Sequence, residues 1–231
     1  MLIGFPQLLD KVNEHIDRLD YAREPMNLYE PVKYILALGG KRIRPVMMLM
    51  AYNMYRDDVD KILDPALALE IYHNFTLLHD DLMDNADVRR GKPTVHKRWD
   101  ANTAILSGDV MLSLADVYMS RIDDAYFRQV MATFHQTSIE IAEGQQYDMD
   151  FETRTDVAEQ EYIEMIRLKT SVLLACALKI GAILGGASED DAAHLYRLGE
   201  CIGLAFQLRD DYLDVYGDPK VFGKKIGGDI L

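Results

Sequence analysis

Leu77-Leu-His-Asp-Asp-Leu-Met-Asp84 closes an apolar-periodic run that begins near Ala66, with Leu67, Ile71, Leu78 and Leu82 at helical spacing. At roughly 100° per residue, Asp80 and Asp84 share one face a turn apart, with Asp81 alongside. His73 lies on the same stripe, earlier along the helix. Carboxylates at i and i+4 repel: two unit charges about 6 Å apart cost about 3 kcal/mol at an effective dielectric of about 20. A fold keeps that cost when a cation offsets it, and paired hard oxygen ligands suit Mg²⁺. For a lone DDxxD in so acidic a chain, a solvated helix end is the simpler explanation.

The chain carries the pattern twice. Asp210-Asp-Tyr-Leu-Asp214 also ends an apolar-periodic run, through Leu195, Leu198, Ile202 and Leu208. Gly199, Gly203, Gln207, Asp210 and Asp214 form one stripe of that helix. Glycine costs about 1 kcal/mol mid-helix relative to alanine, so two on one face indicate close approach of something, tight helix–helix packing being the plain explanation. Two carboxylate clusters on separate helices, facing each other across a cleft, would hold several Mg²⁺ between them. Mg²⁺ bound by few carboxylates completes its shell with water and substrate phosphate, so a phosphate or diphosphate substrate is expected.

Composition narrows the rest. With 231 residues, 49% of them hydrophobic, the chain can bury one sizeable core, or two at most. No alternating strand pattern lasts more than a few residues, and glycines and prolines sit at segment edges, so the expected fold class is all-α. A net charge of −13 and a pI near 4.8 argue against nucleic acid or an anionic membrane surface as partner. Cys176 and Cys201 lack CxxC spacing and sit in apolar helical runs, which predicts buried, reduced thiols in a cytoplasmic protein. The N-terminus shows no basic region followed by an apolar core, so no signal peptide is expected. Ser171 to Gly186 is the longest apolar stretch; Lys179 interrupts it, and a buried core helix rather than a transmembrane segment is expected.

In chain order, helices are expected from Phe5 to Leu19, from Pro31 through Leu38, and from Val46 to Tyr55. Others follow from Ala101 to Tyr118, from Asp124 to Tyr147, and from Glu159 to about Ile183, the last ended by Gly185-Gly186 with Ser188 capping its successor. Three loops or interruptions carry cations. Lys41-Arg-Ile-Arg-Pro45 follows Gly39-Gly40 and precedes a helix, which reads either as an anion cradle or as a solvated basic loop. Arg89, Arg90 and Lys92 crowd around Gly91 just past Asp84, as a flexible turn able to close over a metal-bound diphosphate or as charge balance for the aspartates. Lys169-Thr170 interrupts an apolar face, where a lysine must snorkel or bind an anion.

These stretches resemble, in order, the motifs of the trans-isoprenyl diphosphate synthases, or polyprenyl synthetases. The matching residues are Gly39-Gly-Lys-Arg-Ile-Arg-Pro45, His79 through His96, Lys169-Thr170, and Phe206-Gln-Leu-Arg-Asp-Asp-Tyr-Leu-Asp214 followed by Gly217-Asp218. The resemblance covers the chain from about residue 30 onward and implies an all-α bundle around a central cavity, usually a homodimer. It implies a prenyltransferase that joins isopentenyl diphosphate head to tail to an allylic diphosphate (dimethylallyl, geranyl or farnesyl). By resemblance Asp80, Asp84 and Asp210 bind three Mg²⁺, with Asp81, Asp211 and Asp214 as supporting ligands. Arg89, Lys169, Gln207 and Lys224 contact the allylic diphosphate, and Lys41, Arg44, His73 and Arg90 the isopentenyl diphosphate. The resemblance also implies Lys169, Thr170 and Gln207 as catalytic residues, with Thr170 and Gln207 steadying the allylic cation through their oxygens. Phe75 and Thr76, below Asp80, are similar to the chain-length positions of short-chain members that stop near C15 or C20, with geranylgeranyl diphosphate slightly favoured. The family continues for several helices past the second DDxxD, whereas this chain stops at Leu231, so the expectation is one polyprenyl synthetase domain over residues 1–231 without those helices. A class I terpene cyclase shares the fold but has no use for Lys41, Arg44 and His73 as an isopentenyl site. A non-catalytic partner subunit is the third reading, which the intact carboxylates oppose.

Overall fold

The computed structural model describes residues 2–20 and 23–216, in which the chain divides after Arg128 into two compact units. The first contains α1 (Phe5–Asp17), α2 (Met26–Ala37), α3 (Ile43–Asn53), a 3₁₀ turn (Val59–Ile62) and α4 (Leu63–Met83). After these come a two-residue hairpin of β1 (Val88–Arg89) and β2 (Lys92–Pro93), the short α5 (Val95–Arg98) and α6 (Ala101–Met119). The α7 helix (Asp124–Phe151) begins in this unit and continues into the second. The hairpin supplies the only strands among the described residues, in agreement with the all-α expectation.

The first unit is built around α4, which packs against α1, α2, α3 and α6. Its N-terminal half is buried on every side: Ala66, Leu67, Ala68, Leu69, Ile71 and Tyr72 are each at most 3% exposed. A helix apolar all round sits inside a core rather than on its rim. The sequence stripe identified only one of those buried faces. Two boundaries also differ from expectation. The second helix opens at Met26 behind Pro25, so Pro31 lies inside it and leaves one carbonyl of the first turns without its helical partner. The third opens at Ile43, which brings Arg44 and Pro45 into its first turn.

The second unit holds the rest of α7, then α8 (Glu159–Ile166), a π-helical turn (Arg167–Ser171), α9 (Val172–Gly185) and α10 (Glu189–Tyr216). The helical run from Glu159 to Gly185 is apolar and long enough to cross a bilayer, yet 83% of its most apolar window is buried inside the protein, as befits a core helix. Gly186, at φ 86°, ends α9 in the left-handed region, and the Ser188 hydroxyl accepts the Asp191 N–H at 3.1 Å, so both expected stop and start signals operate. Cys176 is buried, which pushes its thiol up to about 12, but Cys201 is exposed, contrary to the expectation of two buried thiols. It lies on the outer side of α10, away from the face that meets α9.

That face is the glycine stripe. A Cβ at Gly199 would lie 2.4 Å from the Ala175 Cα, and one at Gly203 would lie 2.5 Å from the Ser171 Cα. The glycines therefore serve helix packing. Gly203→Ala is expected to lower stability by about 1–3 kcal/mol, because backbone rather than a flexible side chain must move aside. Thermal melting of the variant checks this; an unchanged midpoint would contradict it.

Candidate functional site

Both carboxylate motifs are described, each within its own unit. In the first, the end of α4 is closed by a paired cap. The Asn85 N–H donates to the Leu82 carbonyl at 3.2 Å and the Ala86 N–H to the Asp81 carbonyl at 2.9 Å. Asn85 takes φ 50°, a conformation asparagine tolerates better than most residues. This cap holds Asp80, Asp81 and Asp84 at the last turn, where the helix already presents partial negative charge. Asp84 is exposed and Asp80 half-buried, whereas Asp81 is 3% exposed and accepts from the Arg89 Nε at 2.7 Å.

Arg89 comes from the hairpin, which replaces the flexible turn expected from the sequence. Val88 pairs with Pro93 and Arg89 with Lys92, so Arg90 and Gly91 form the two-residue turn with φ of 51° and 76°. A left-handed arginine costs about 1–2 kcal/mol. The Arg90 guanidinium offsets this by donating to the Gly39 carbonyl and lying flat against Gly40, whose φ is 143°. A Cβ on Gly40 would stand 2.9 Å from Arg90 Nη2, so this glycine makes room for the arginine.

The basic stretch 41–44 splits by role. Lys41 is exposed and Arg44 half-buried, but Arg42 turns inward at φ 48° and is 5% exposed. It donates to Glu70 Oε1 at 2.6 Å and to the Leu36 carbonyl at 2.7 Å, while Asn74 donates to the same Glu70 oxygen at 3.0 Å. Sequence reasoning passed over this buried pair. The available signal was Glu70 itself, a carboxylate amid Ala66-Leu-Ala-Leu and Ile71-Tyr72.

Burial draws Arg44 down to about 10, opposed by Glu70 and helped by Arg90. His73 is held well below its ordinary value, first by burial and then by Arg44, Arg90, Arg89 and Arg42, so it is neutral near pH 7. Four guanidiniums acting on one imidazole show that the 42–44 stretch, the hairpin turn and His73 converge. Glu70 and Asp81 are each already engaged by a guanidinium, so the region keeps positive character and donors suited to a diphosphate. Further up α4, Phe75 packs edge-on to Tyr72 at 5.5 Å and to His79 at 4.8 Å, and Thr76 donates to the His73 carbonyl at 2.8 Å.

In the second unit Lys169 and Thr170 occupy the π-helical turn, a local unwinding that sequence periodicity does not reveal. Arg167 braces that turn against Glu164 at 2.7 Å and Glu200 at 2.9 Å. Gly144 lies inside α7 and admits the turn's backbone: a Cβ there would be 2.4 Å from the Lys169 N. Lys169 pairs with Asp148 at 2.5 Å. Thr170 donates to Gln207 Oε1 at 3.0 Å, and Gln207 donates to Asp211 Oδ1 at 2.8 Å. The Tyr162 hydroxyl donates to the other Asp211 oxygen, and burial followed by this bond raises its pKa. Asp210 is half-buried and Asp214 is 2% exposed. Lys224 lies outside the described residues.

Among the described residues no three histidine, cysteine or carboxylate side chains form a ready-made metal cluster. Within each unit the accessible donors, Asp80 and Asp84 in one and Asp210 in the other, are hard carboxylate oxygens, while the neighbouring His79 ring is turned to Phe75 and the Ile105 carbonyl. That set fits Mg²⁺ with coordination positions left for water and phosphate, and does not fit a closed zinc site.

The polyprenyl synthetase profile matches residues 25–231. The chain is 44% identical over 222 residues to the geranylgeranyl diphosphate synthase of Methanosarcina mazei, covering 95% of this chain and 68% of that protein. A crystal structure of a geranylgeranyl pyrophosphate synthase matches with a TM-score of 0.95 at 51% identity, over 99% of this chain and 70% of that one. A polyprenyl synthase from Caulobacter crescentus CB15, complexed with calcium and isoprenyl diphosphate, matches with a TM-score of 0.85 at 30% identity, over 99% and 71% of the two chains.

Proposed function

Because the chain belongs to the polyprenyl synthetase family, we propose that it is a Mg²⁺-dependent prenyltransferase that makes a short all-trans prenyl diphosphate, C15–C20 with geranylgeranyl diphosphate favoured. The observation that carries this reading is the guanidinium cluster around neutral His73, tied through Arg89 and Asp81 to an accessible carboxylate helix end. It provides an anion site and a metal-suited site side by side in one unit.

Asp80 and Asp84, together with Asp210, would hold Mg²⁺, three ions in all, with Asp81, Asp211 and Asp214 in support. Bound there, the metal supplies neutralisation of the negative charge that grows on a departing diphosphate. Arg89, Lys169, Gln207 and Lys224 bind the allylic diphosphate, and Lys41, Arg44, His73 and Arg90 orient isopentenyl diphosphate. Neutral His73 serves as a hydrogen-bond donor rather than as a charge. The allylic carbon loses its diphosphate, the isopentenyl double bond attacks the resulting cation, and a proton leaves to the released diphosphate. The chain needs no nucleophile of its own; its task is to place two diphosphates and exclude water from a carbocation. Two unpaired cysteines accord with the cytoplasmic location proposed for it. A homodimer is part of the same reading, and sedimentation equilibrium should return twice the mass of one chain.

Incubation with Mg²⁺, labelled isopentenyl diphosphate and, separately, dimethylallyl, geranyl or farnesyl diphosphate tests the reaction. Prenyl product from at least one primer is expected, and none from any of them would overturn the proposal. Phe75 lies five residues before Asp80, about 7.5 Å along the helix. Its ring packs edge-on to Tyr72 and His79, and it is only half-buried. Phe75→Ala is therefore expected to lengthen the main product, read by mass analysis; an unchanged product would assign Phe75 to packing alone.

A further inference from the structure

The polar network of the second unit has a direction. Asp211 is acceptor-only when ionised, and it receives the Gln207 amide on one oxygen at 2.8 Å and the Tyr162 hydroxyl on the other. With its NH₂ committed to Asp211, the Gln207 amide must turn its oxygen toward Thr170, whose hydroxyl donates to it at 3.0 Å. The opposite orientation would set the amide oxygen against a carboxylate. The Thr170 hydroxyl hydrogen is thereby used, and what its oxygen offers outward is lone pairs alone. Each bond in the series, from Asp211 through Gln207 to Thr170, polarises the next in the same sense.

We propose that Tyr162 is a positioning residue for the prenyl transfer: by holding Asp211 it locks the Gln207 amide in one orientation and leaves the Thr170 oxygen presenting lone pairs toward positive charge. This rests on the prenyltransferase reading, in which Thr170 and Gln207 stand beside a carbocation. A hydroxyl free to rotate would turn its hydrogen toward that cation part of the time, which opposes the reaction; a locked one always faces it with electron density. Tyr162 comes from α8, and its DDxxD partner from α10, so sequence spacing gives no hint of the pairing.

Tyr162→Phe removes one oxygen and keeps the ring. Two readouts test the proposal. The side-chain amide of Gln207, identified in the ¹⁵N spectrum by its loss in Gln207→Leu, should exchange its protons about tenfold faster in Tyr162→Phe, as expected when a charge-assisted neighbour bond is lost. In turnover assays kcat should fall about tenfold with KM for isopentenyl diphosphate unchanged. The same substitution made in a Thr170→Val background should then cost less than about twofold, because the group it positions is gone. Unchanged amide exchange overturns the proposal, and so does an equal kcat loss in the Thr170→Val background, which would mark Tyr162 as merely structural. If the parent chain forms no prenyl product from any primer, the prenyltransferase reading fails, while the amide exchange still decides whether Tyr162 locks Gln207.

Discussion

Asp80→Asn and Asp84→Asn should each reduce kcat by about 10²–10³-fold, the loss typical of removing one preorganised electrostatic contact to developing charge. Neither substitution should reduce stability. Both carboxylates sit at the C-terminal turn of α4, where negative charge opposes the helix dipole by about 0.3–1 kcal/mol per group. They also repel each other at i and i+4. Asparagine keeps the shape of the side chain and removes the charge, so the melting temperature should hold or rise while activity collapses. Opposite movement of the two quantities identifies residues kept for function against a local cost. Parallel loss of activity and stability in both variants would show that these aspartates serve the fold. The Mg²⁺ concentration giving half-maximal rate should rise as well, since one hard ligand has been weakened to a neutral amide oxygen.

Glu70→Ala and Arg42→Ala should each destabilise the first unit by about 3–5 kcal/mol, the usual consequence of stranding one member of a buried ion pair. Glu70 and Arg42 side chains are each 3% exposed and 2.6 Å apart. Removing Glu70 leaves a buried guanidinium beside Arg44 and Arg90 with its carboxylate gone, and it also strips a hydrogen bond from Asn74. Removing Arg42 frees the Leu36 carbonyl and the left-handed backbone of residue 42 that the side chain pins. The paired replacement Arg42→Met with Glu70→Leu should recover much of the loss, because two charges need no longer be held out of water. Urea unfolding of the three variants checks this. Single-variant losses below about 1 kcal/mol would show that the pair is solvated in solution and not a strut. The double variant should still lose affinity for isopentenyl diphosphate, since Arg42 anchors the stretch that carries Lys41 and Arg44.

The helix content, the two aspartate motifs and the cationic stretches could all be recognised from residue order, because each depends on neighbours within one or two helical turns. Asp80 and Asp84 share a face by periodicity alone, and Gly186 and Ser188 end and begin helices through their own backbone and hydroxyl. What depended on contacts across long sequence separations could not be recognised that way. Arg42 looked like a third surface cation until α4 brought Glu70 against it, 28 residues away. Arg89 and Arg90 adjoin in one basic turn, and only the packing pairs the first with Asp81 and folds the second back on Gly39, 51 residues away. Gly199 and Gly203 were marked for close packing by their stripe, but only the fold supplies Ala175 of α9 and Ser171 of the π-helical turn as what they meet, and Lys169 and Thr170 sat in an apparently regular helix that locally unwinds. Periodicity records which face a residue occupies; it carries no information about which partner the packing supplies to that face, and the division of these charges into struts and ligands follows from that partner alone.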